Sequence, residues 1–317
     1  MKKKMKKKKL DIILPVAFIL LSLSCHASAA EEEREPDKLP EITGGYTVER
    51  VAPAEIGVVS PSGLCVYGDE VYICDYEDGK IVVTDLELNP VRTFGKIGMG
   101  EGEFSHPTDI TVYQDELYVL DAGSSRAEIV KTDGTYTGEI GLTMLDRQGY
   151  GDYYSIEVNG AGRIAVSADK YDTSAARVRL YTGDEKVTPK GQFRGCLFLY
   201  EDVFYAADML EYCKVSPTSS VYITGTNYLY EVTDEELVQK AELPYKYEPT
   251  DMLALGKEIY GVSGSFGRID RFSEDGEVQE GIAQLPTSSL KLRFAAETSN
   301  QFYVTDQENN QIYYVHK

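Results

Sequence analysis

From residue 46 onward the chain repeats one pattern: a short apolar run, a polar turn, a second apolar run closing on Asp, a loop, a third run, and a turn into a fourth. Pro61-Ser62-Gly63-Leu64-Cys65-Val66-Tyr67-Gly68-Asp69-Glu70-Val71-Tyr72-Ile73-Cys74-Asp75 sets out its first half, with Gly68-Asp69-Glu70 as the polar turn. Pro107 to Asp121 aligns with that stretch without a gap at an offset of 46. Pro249-Thr250-Asp251-Met252 opens another copy 142 residues after Pro107, three periods of about 47. Runs of this length, rich in Val, Ile and Tyr and bounded by Gly and Asp turns, predict strands. No segment after residue 30 carries a helical period of useful length.

Four short antiparallel strands in a period of about 40–50 residues make one blade of a β-propeller. Units begin near Pro61, Pro107, Tyr153, Cys196, Pro249 and Leu290, which gives six. The sixth ends on its third strand, Gln311 to Val315, and Tyr46 to Val51 lies upstream as a spare strand. The expected fold is therefore all-β: a six-bladed β-propeller of four-stranded antiparallel blades, closed by an N-terminal strand completing the last blade. Closure removes open strand edges. The fourth unit is irregular, because Phe204 to Asp208 and Val221 to Gly225 both fit its second strand. Either one is an insertion or the ring has a degenerate seventh blade; the mean of about 43 residues per unit favours six.

The segment Phe94-Gly95-Lys96 through Gly98-Met99-Gly100-Glu101-Gly102-Glu103-Phe104-Ser105-His106-Pro107, followed by Tyr118-Val119-Leu120-Asp121, resembles the NHL-repeat family. Arg126 stands where that family has its basic residue, with Lys80 and Arg268 in the equivalent places of units one and five. The likeness is strong over units one and two, fair in five and six, and weak in three and four. It implies a six-bladed propeller, most members being binding scaffolds and a minority lyases or hydrolases.

The N-terminus reads differently. Seven lysines fall between Lys2 and Lys9, a thirteen-residue apolar run spans Ile12 to Ser24, and Ala27-Ser28-Ala29 follows. This is the order of a secretory signal peptide, and the run is short of the roughly 20 residues of a membrane span. Ser22-Leu23-Ser24-Cys25 also resembles a bacterial lipobox, with Ser22 in place of its usual Leu, so lipidation at Cys25 is the alternative. The expected organisation is a signal peptide over 1–29, an acidic linker over 30–42 with nothing to bury, and the propeller over 43–317. The working chain is then extracytoplasmic: secreted, periplasmic or surface-anchored.

Charge sharpens the partner classes. The chain carries 32 Lys+Arg and 52 Asp+Glu, and the net charge of residues 30–317 is −26. Such a domain repels phosphate backbones, so nucleic acid is not expected, and a membrane is expected only through lipidation.

The candidate chemistry is sparse. After residue 29 the histidines are His106, in a turn before Pro107, and the penultimate His316; a catalytic zinc needs about three protein ligands. No G-x-S-x-G, P-loop, C-x-x-C or dinucleotide fingerprint is present in context. Asp75, Asp121, Asp208 and Asp306 close second strands, where a carboxylate holds a turn. Asp109 and Asp251 each follow Pro-Thr at the start of an inner strand, and with Asp152 they are candidates for a channel site; an oxygen-rich ring suits Ca²⁺ or Mg²⁺. The competing reading is that they cap the turn. A hairpin turning at Asp69-Glu70 sets Cys65 opposite Cys74 as a candidate disulfide, the alternative being two buried thiols. Cys196 and Cys213 pair only if the irregular fourth unit brings its ends together.

These features favour an exported, non-catalytic binding propeller that presents a loop face or channel mouth to a protein, peptide or glycan. A divalent-metal-dependent hydrolase or lyase using channel carboxylates is one alternative. A lipid-anchored sensory or structural ectodomain is the other.

Overall fold

The structure, a computed structural model, describes residues 36–142, 151–170, 177–191, 195–208, 211–216, 219–223 and 228–317. Cys25 and the proposed signal peptide lie outside the described residues, as do the side chains of Asp152 and Cys213.

Strand β1 (Thr47–Val51) comes first. Blade 1 is β2 (Pro61–Tyr67), β3 (Glu70–Asp75), β4 (Lys80–Asp85) and β5 (Pro90–Gly95). Blade 2 is β6 (Pro107–Tyr113), β7 (Glu116–Asp121), β8 (Arg126–Lys131) and β9 (Tyr136–Gly141). Blade 3 is β10 (Gly151–Val158), β11 (Ile164–Lys170), β12 (Arg177–Thr182) and β13 (Glu185–Val187). Blade 4 is β14 (Leu197–Tyr200), β15 (Val203–Ala207), β18 (Tyr228–Val232) and β19 (Leu237–Glu242). A separate hairpin, β16 (Glu211–Ser216) with β17 (Ser219–Ile223), interrupts it. Blade 5 is β20 (Pro249–Leu255), β21 (Glu258–Ser263), β22 (Arg268–Phe272) and β23 (Val278–Gln284). Blade 6 is β24 (Leu292–Thr298), β25 (Gln301–Asp306), β26 (Gln311–His316) and, as its outer strand, β1.

The protein is thus a six-bladed propeller closed by its N-terminal strand. Thr47 pairs with His316 and Val51 with Ile312. The inner strands touch in the cyclic order β2, β6, β10, β14, β20, β24 and back to β2. The second candidate strand of the irregular unit, Val221 to Ile223, belongs to the inserted hairpin and not to a seventh blade.

Six apolar clusters fill the described structure, one between each pair of neighbouring blades. Along β3, Val71 and Ile73 pack towards blade 6, while Tyr72 and Cys74 pack towards blade 2. A middle strand has a blade on each side, so it is apolar at successive positions, while the outer strand β5 alternates exposed and half-buried. In blades 1 and 2 the incoming loop is tied by an Asp at the close of the second strand. Asp75 accepts the Val59 and Ser60 N–H groups at 2.9 and 3.0 Å, and Asp121 accepts those of Ser105 and His106 at 2.9 and 2.8 Å. These carboxylates therefore hold the loop arriving from the previous blade.

Two expectations need correction. The hairpin of blade 1 turns at Gly68-Asp69, not at Asp69-Glu70. Gly68 takes φ 59°, a left-handed conformation that glycine adopts without strain. Tyr67 then pairs with Glu70 and Cys65 with Tyr72, so Cys65 is not opposite Cys74 and both thiols are free. The linker, where it is described, also does not run free. Tyr245 donates its N–H to Asp37 at 2.9 Å, Arg268 donates to the Pro40 carbonyl at 3.0 Å, and Ile42 bridges in parallel to Gly281.

Closure predicts a specific weakness. Val48 lies opposite Val315 and packs on the cluster between blades 5 and 6. Val48→Asp is expected to lower the melting temperature by about 2–4 °C per kcal/mol lost and to promote self-association through the freed edge of β26. Differential scanning calorimetry and sedimentation velocity check this; an unchanged melt with a monomeric profile contradicts it.

Candidate functional site: a charged hub across the channel

One position of each inner strand, or in blade 4 the residue just before it, forms a ring around the channel: Gly63, Asp109, Ser155, Cys196, Asp251 and Arg293. In β6, β10 and β20 it follows a β-bulge, at Thr108, Tyr154 and Thr250. In blades 2, 3 and 5 the ring side chain accepts an N–H from the next inner strand. Asp109 takes Ile156 at 2.9 Å, Ser155 takes Leu197 at 3.2 Å, and Asp251 takes Phe294 at 2.9 Å. Gly63 carries no side chain because a Cβ there would stand 2.3 Å from the Asp109 Cα.

Arg293 cannot accept an N–H, and it does something else. Its Nη2 donates to the Tyr154 carbonyl at 2.6 Å, so it reaches from blade 6 to the diametrically opposite blade 3. Nη1 makes a longer contact with the Thr250 carbonyl of blade 5 at 3.4 Å. Its Cζ lies 3.6 Å from the centre of the Tyr154 ring, and the Tyr154 hydroxyl donates to the same Thr250 carbonyl at 2.9 Å. Arg293 as a whole is 8% exposed. A cation–π contact in such a desolvated place contributes about 2 kcal/mol.

The carboxylates answer this cation. Burial pushes the Asp109 carboxyl up, and Arg293 with the Ile156 and Ile110 N–H groups pulls it back. Asp251 is raised to about 7, by burial first, opposed by Arg293 and reinforced by Asp109. Arg293 itself is held more firmly charged than an ordinary arginine: burial opposes the cation, but Tyr154, Asp109, Asp251 and Cys196 outweigh it. Glu157, two residues beyond Ser155, is pushed well up by burial and then by Asp109 and Asp251; the Thr111 hydroxyl donates to it at 3.2 Å.

Of the candidate channel residues, Asp109 and Asp251 do face one centre. Their oxygens accept backbone N–H groups, however, and the positive charge between them is Arg293. Asp152 lies three residues before the ring position in β10, paired with Asp169. No three His, Cys, Asp or Glu side chains converge in metal-binding geometry among the described residues. The donor set at Asp109 and Asp251 therefore does not fit Ca²⁺ or Mg²⁺, which need six to eight or six oxygens respectively. Burial pushes the Cys65, Cys74 and Cys196 thiols up, so none is a ready thiolate nucleophile. His106 sits in the loop before β6 with its ring 4.6 Å from that of Tyr76. Arg293, Tyr154 and Glu157 were not singled out from the sequence. Arg293 was findable by aligning the sixth unit with the others, since it stands where units two and five carry Asp.

Comparison with known proteins supports the fold. No family model matches the chain, and no curated protein matches it in sequence. Among solved structures it is similar to a luciferin-regenerating enzyme, with TM-score 0.59, 12% identity, and coverage of 86% of this chain and 96% of that one. Virginiamycin B lyase from Staphylococcus aureus gives 0.53 and 11%, covering 86% and 99%. Regucalcin from Agrobacterium tumefaciens, described as a calcium-binding protein, gives 0.56 and 9%, covering 86% and 93%. At these identities the likeness is one of fold.

Two measurements test the hub. Arg293→Met leaves the buried Asp109 and the half-buried Asp251 without their cation, and is expected to cost about 3 kcal/mol in urea unfolding. A loss below 1 kcal/mol would show the hub to be incidental. The raised carboxyls also set a pH dependence. An unfolded carboxyl titrates near 4, so the folded state binds the extra proton between about pH 4 and pH 7. The stability this confers is present at low pH and is lost as pH rises through the raised value of Asp251, about 7. Asp251→Asn is therefore expected to gain stability relative to the unsubstituted chain as pH rises from about 5 to about 8, read as the difference in melting temperature.

Proposed function

We propose that the chain is an exported, non-catalytic binding propeller of NHL-repeat type that presents its loop face to a basic protein or peptide surface. The carrying observation is that the inner ring engages its charged groups with one another: Arg293 crosses the channel, and the ring acceptors are occupied by N–H groups of the next blade. This arrangement supports a scaffold reading and moves recognition outwards, to the loops.

The loop face favoured is the one bearing second-to-third and blade-to-blade connections, which share one end of every antiparallel blade. The inserted hairpin β16–β17 and the glycine-rich loop 96–106 both belong to it. In that loop Ile97 and Met99 are 63% and 70% exposed. The loop is nonetheless fixed, because Arg126 donates to the Gly100 and Glu103 carbonyls at 2.9 and 2.7 Å and Glu128 accepts the Gly102 N–H at 2.6 Å. Apolar side chains on a fixed loop make low-entropy anchors, and the net charge of −20 favours a partner of opposite sign. A glycan ligand is a competing outcome of the same screen.

A peptide library panned on the purified chain is expected to return basic sequences with an apolar centre, and the Ile97→Asp, Met99→Asp double variant is expected to lose them without a change in melting. Recovery of the same sequences on the variant would refute the loop-face assignment. Elemental analysis is expected to find less than one divalent ion per chain; one tightly held ion, absent from Asp109→Ala, would favour the metal-dependent alternative. Mass spectrometry of the exported chain is expected to place its first residue at Ala30, whereas an acylated Cys25 would mean a lipid-anchored ectodomain.

A further inference from the structure

Blade 5 carries a groove that the chain fills with its own N-terminal segment. In blade 2, Arg126 at the start of β8 grips the loop arriving from blade 1, and Glu128 two residues on takes an N–H from that loop. In blade 5 the equivalent residues are Arg268 and Asp270, and the arriving loop is short: residues 243–248, against 96–106 in blade 2. It leaves the Arg268 side chain facing outwards, and residues 37–43 lie there instead.

The fit is built into both partners. Arg268 is paired with Asp270 through Nε at 2.8 and 2.9 Å, which fixes its fork, and it donates to the Pro40 carbonyl at 3.0 Å. Tyr245 donates its N–H to Asp37 at 2.9 Å, and Thr43 donates its N–H to the Gly281 carbonyl at 3.3 Å. Leu39 packs on the cluster of Tyr247, Met252 and Phe272. Gly281 has no side chain where one is needed least: a Cβ would stand 2.4 Å from Arg268 Nη2, 2.9 Å from Ile42 and 3.1 Å from the Glu41 carbonyl. The segment itself is largely solvent-exposed, with Lys38, Pro40, Glu41, Ile42 and Thr43 on the surface.

We infer that this groove is a receptor for an extended peptide segment, with residues 37–43 as its resident competitor. The pattern it reads is an acid, an apolar residue two places on and a free carbonyl at the next residue, with the residues that follow added in parallel to β23. Parallel addition of a strand to a sheet edge, with side-chain pockets supplying specificity, is an established way of reading a peptide. A segment of another protein carrying this pattern enters when the resident segment lifts away. The inference does not depend on the loop-face proposal, since it rests on residues 37–43 and blade 5 and not on Ile97 and Met99.

The test uses the full chain and a fluorescent peptide spanning residues 36–44, followed by anisotropy. Leu39→Ser loosens the resident segment, and an unoccupied groove raises apparent affinity in proportion to its population. The Leu39→Ser chain is expected to bind the peptide at least about tenfold more tightly than the unsubstituted chain. Adding Gly281→Val is expected to abolish binding, and a scrambled peptide is expected not to bind. If Leu39→Ser melts without cooperativity, Ile42→Glu, at an exposed position, takes its place. A cooperatively folded variant that gives no saturable binding, binds no more tightly than the unsubstituted chain, or binds the scrambled peptide equally well overturns the inference.

Discussion

A ring of six blades has a geometric problem at its axis, where six backbones converge without a neighbour on their inner side. Arg293 resolves it here. One guanidinium bonds the backbone of the opposite blade, lies over the ring of Tyr154, and supplies the positive charge that the buried Asp109 and the half-buried Asp251 share. The acceptors Asp109, Ser155 and Asp251 then lace the inner strands of blades 2 and 3, 3 and 4, and 5 and 6. A buried charge network of this kind contributes little net stability over an apolar plug, but breaking it from one side is costly. Its role is to define one arrangement of the blades.

The remainder of the core follows from that arrangement. With no single centre to bury, the apolar residues divide among six interfaces, and every middle strand contributes to two of them. Polar groups concentrate where blades are joined: Asp75 and Asp121 at the loops, Arg126 and Glu128 around the glycine-rich segment. This division leaves the periphery free to vary, and it is there that the inserted hairpin and the N-terminal segment have been accommodated.

The fold was legible because it is periodic. The ungapped offset between Pro61 and Pro107 and the short sixth unit together pointed to the blade count and to closure by residues near Val48. What escaped were features that break the period. Arg293 lacks the Pro-Thr that marks Asp109 and Asp251, so the residue between them on the axis was not seen. Cys65 and Cys74 were misplaced because a turn shifted by one residue moves the partner by two; the preference of a tight hairpin for glycine at its first turn position points to Gly68-Asp69. The segment before β1 read as a linker because its contacts depend on a short loop and a bare Gly281 more than two hundred residues away.

The closing strand also determines how the molecule responds to tension. Thr47 is opposite His316, so both ends of the β1–β26 ladder are at the same edge of blade 6. A load applied between the chain ends therefore opens that ladder one bond at a time, the weakest geometry a sheet offers, whereas a load along the strands would shear all of it at once. Force arriving from the N-terminal side first meets the contacts of Asp37, Pro40 and Ile42 on blade 5. Those contacts on blade 5 therefore have to part before tension from that side reaches the ring's seam.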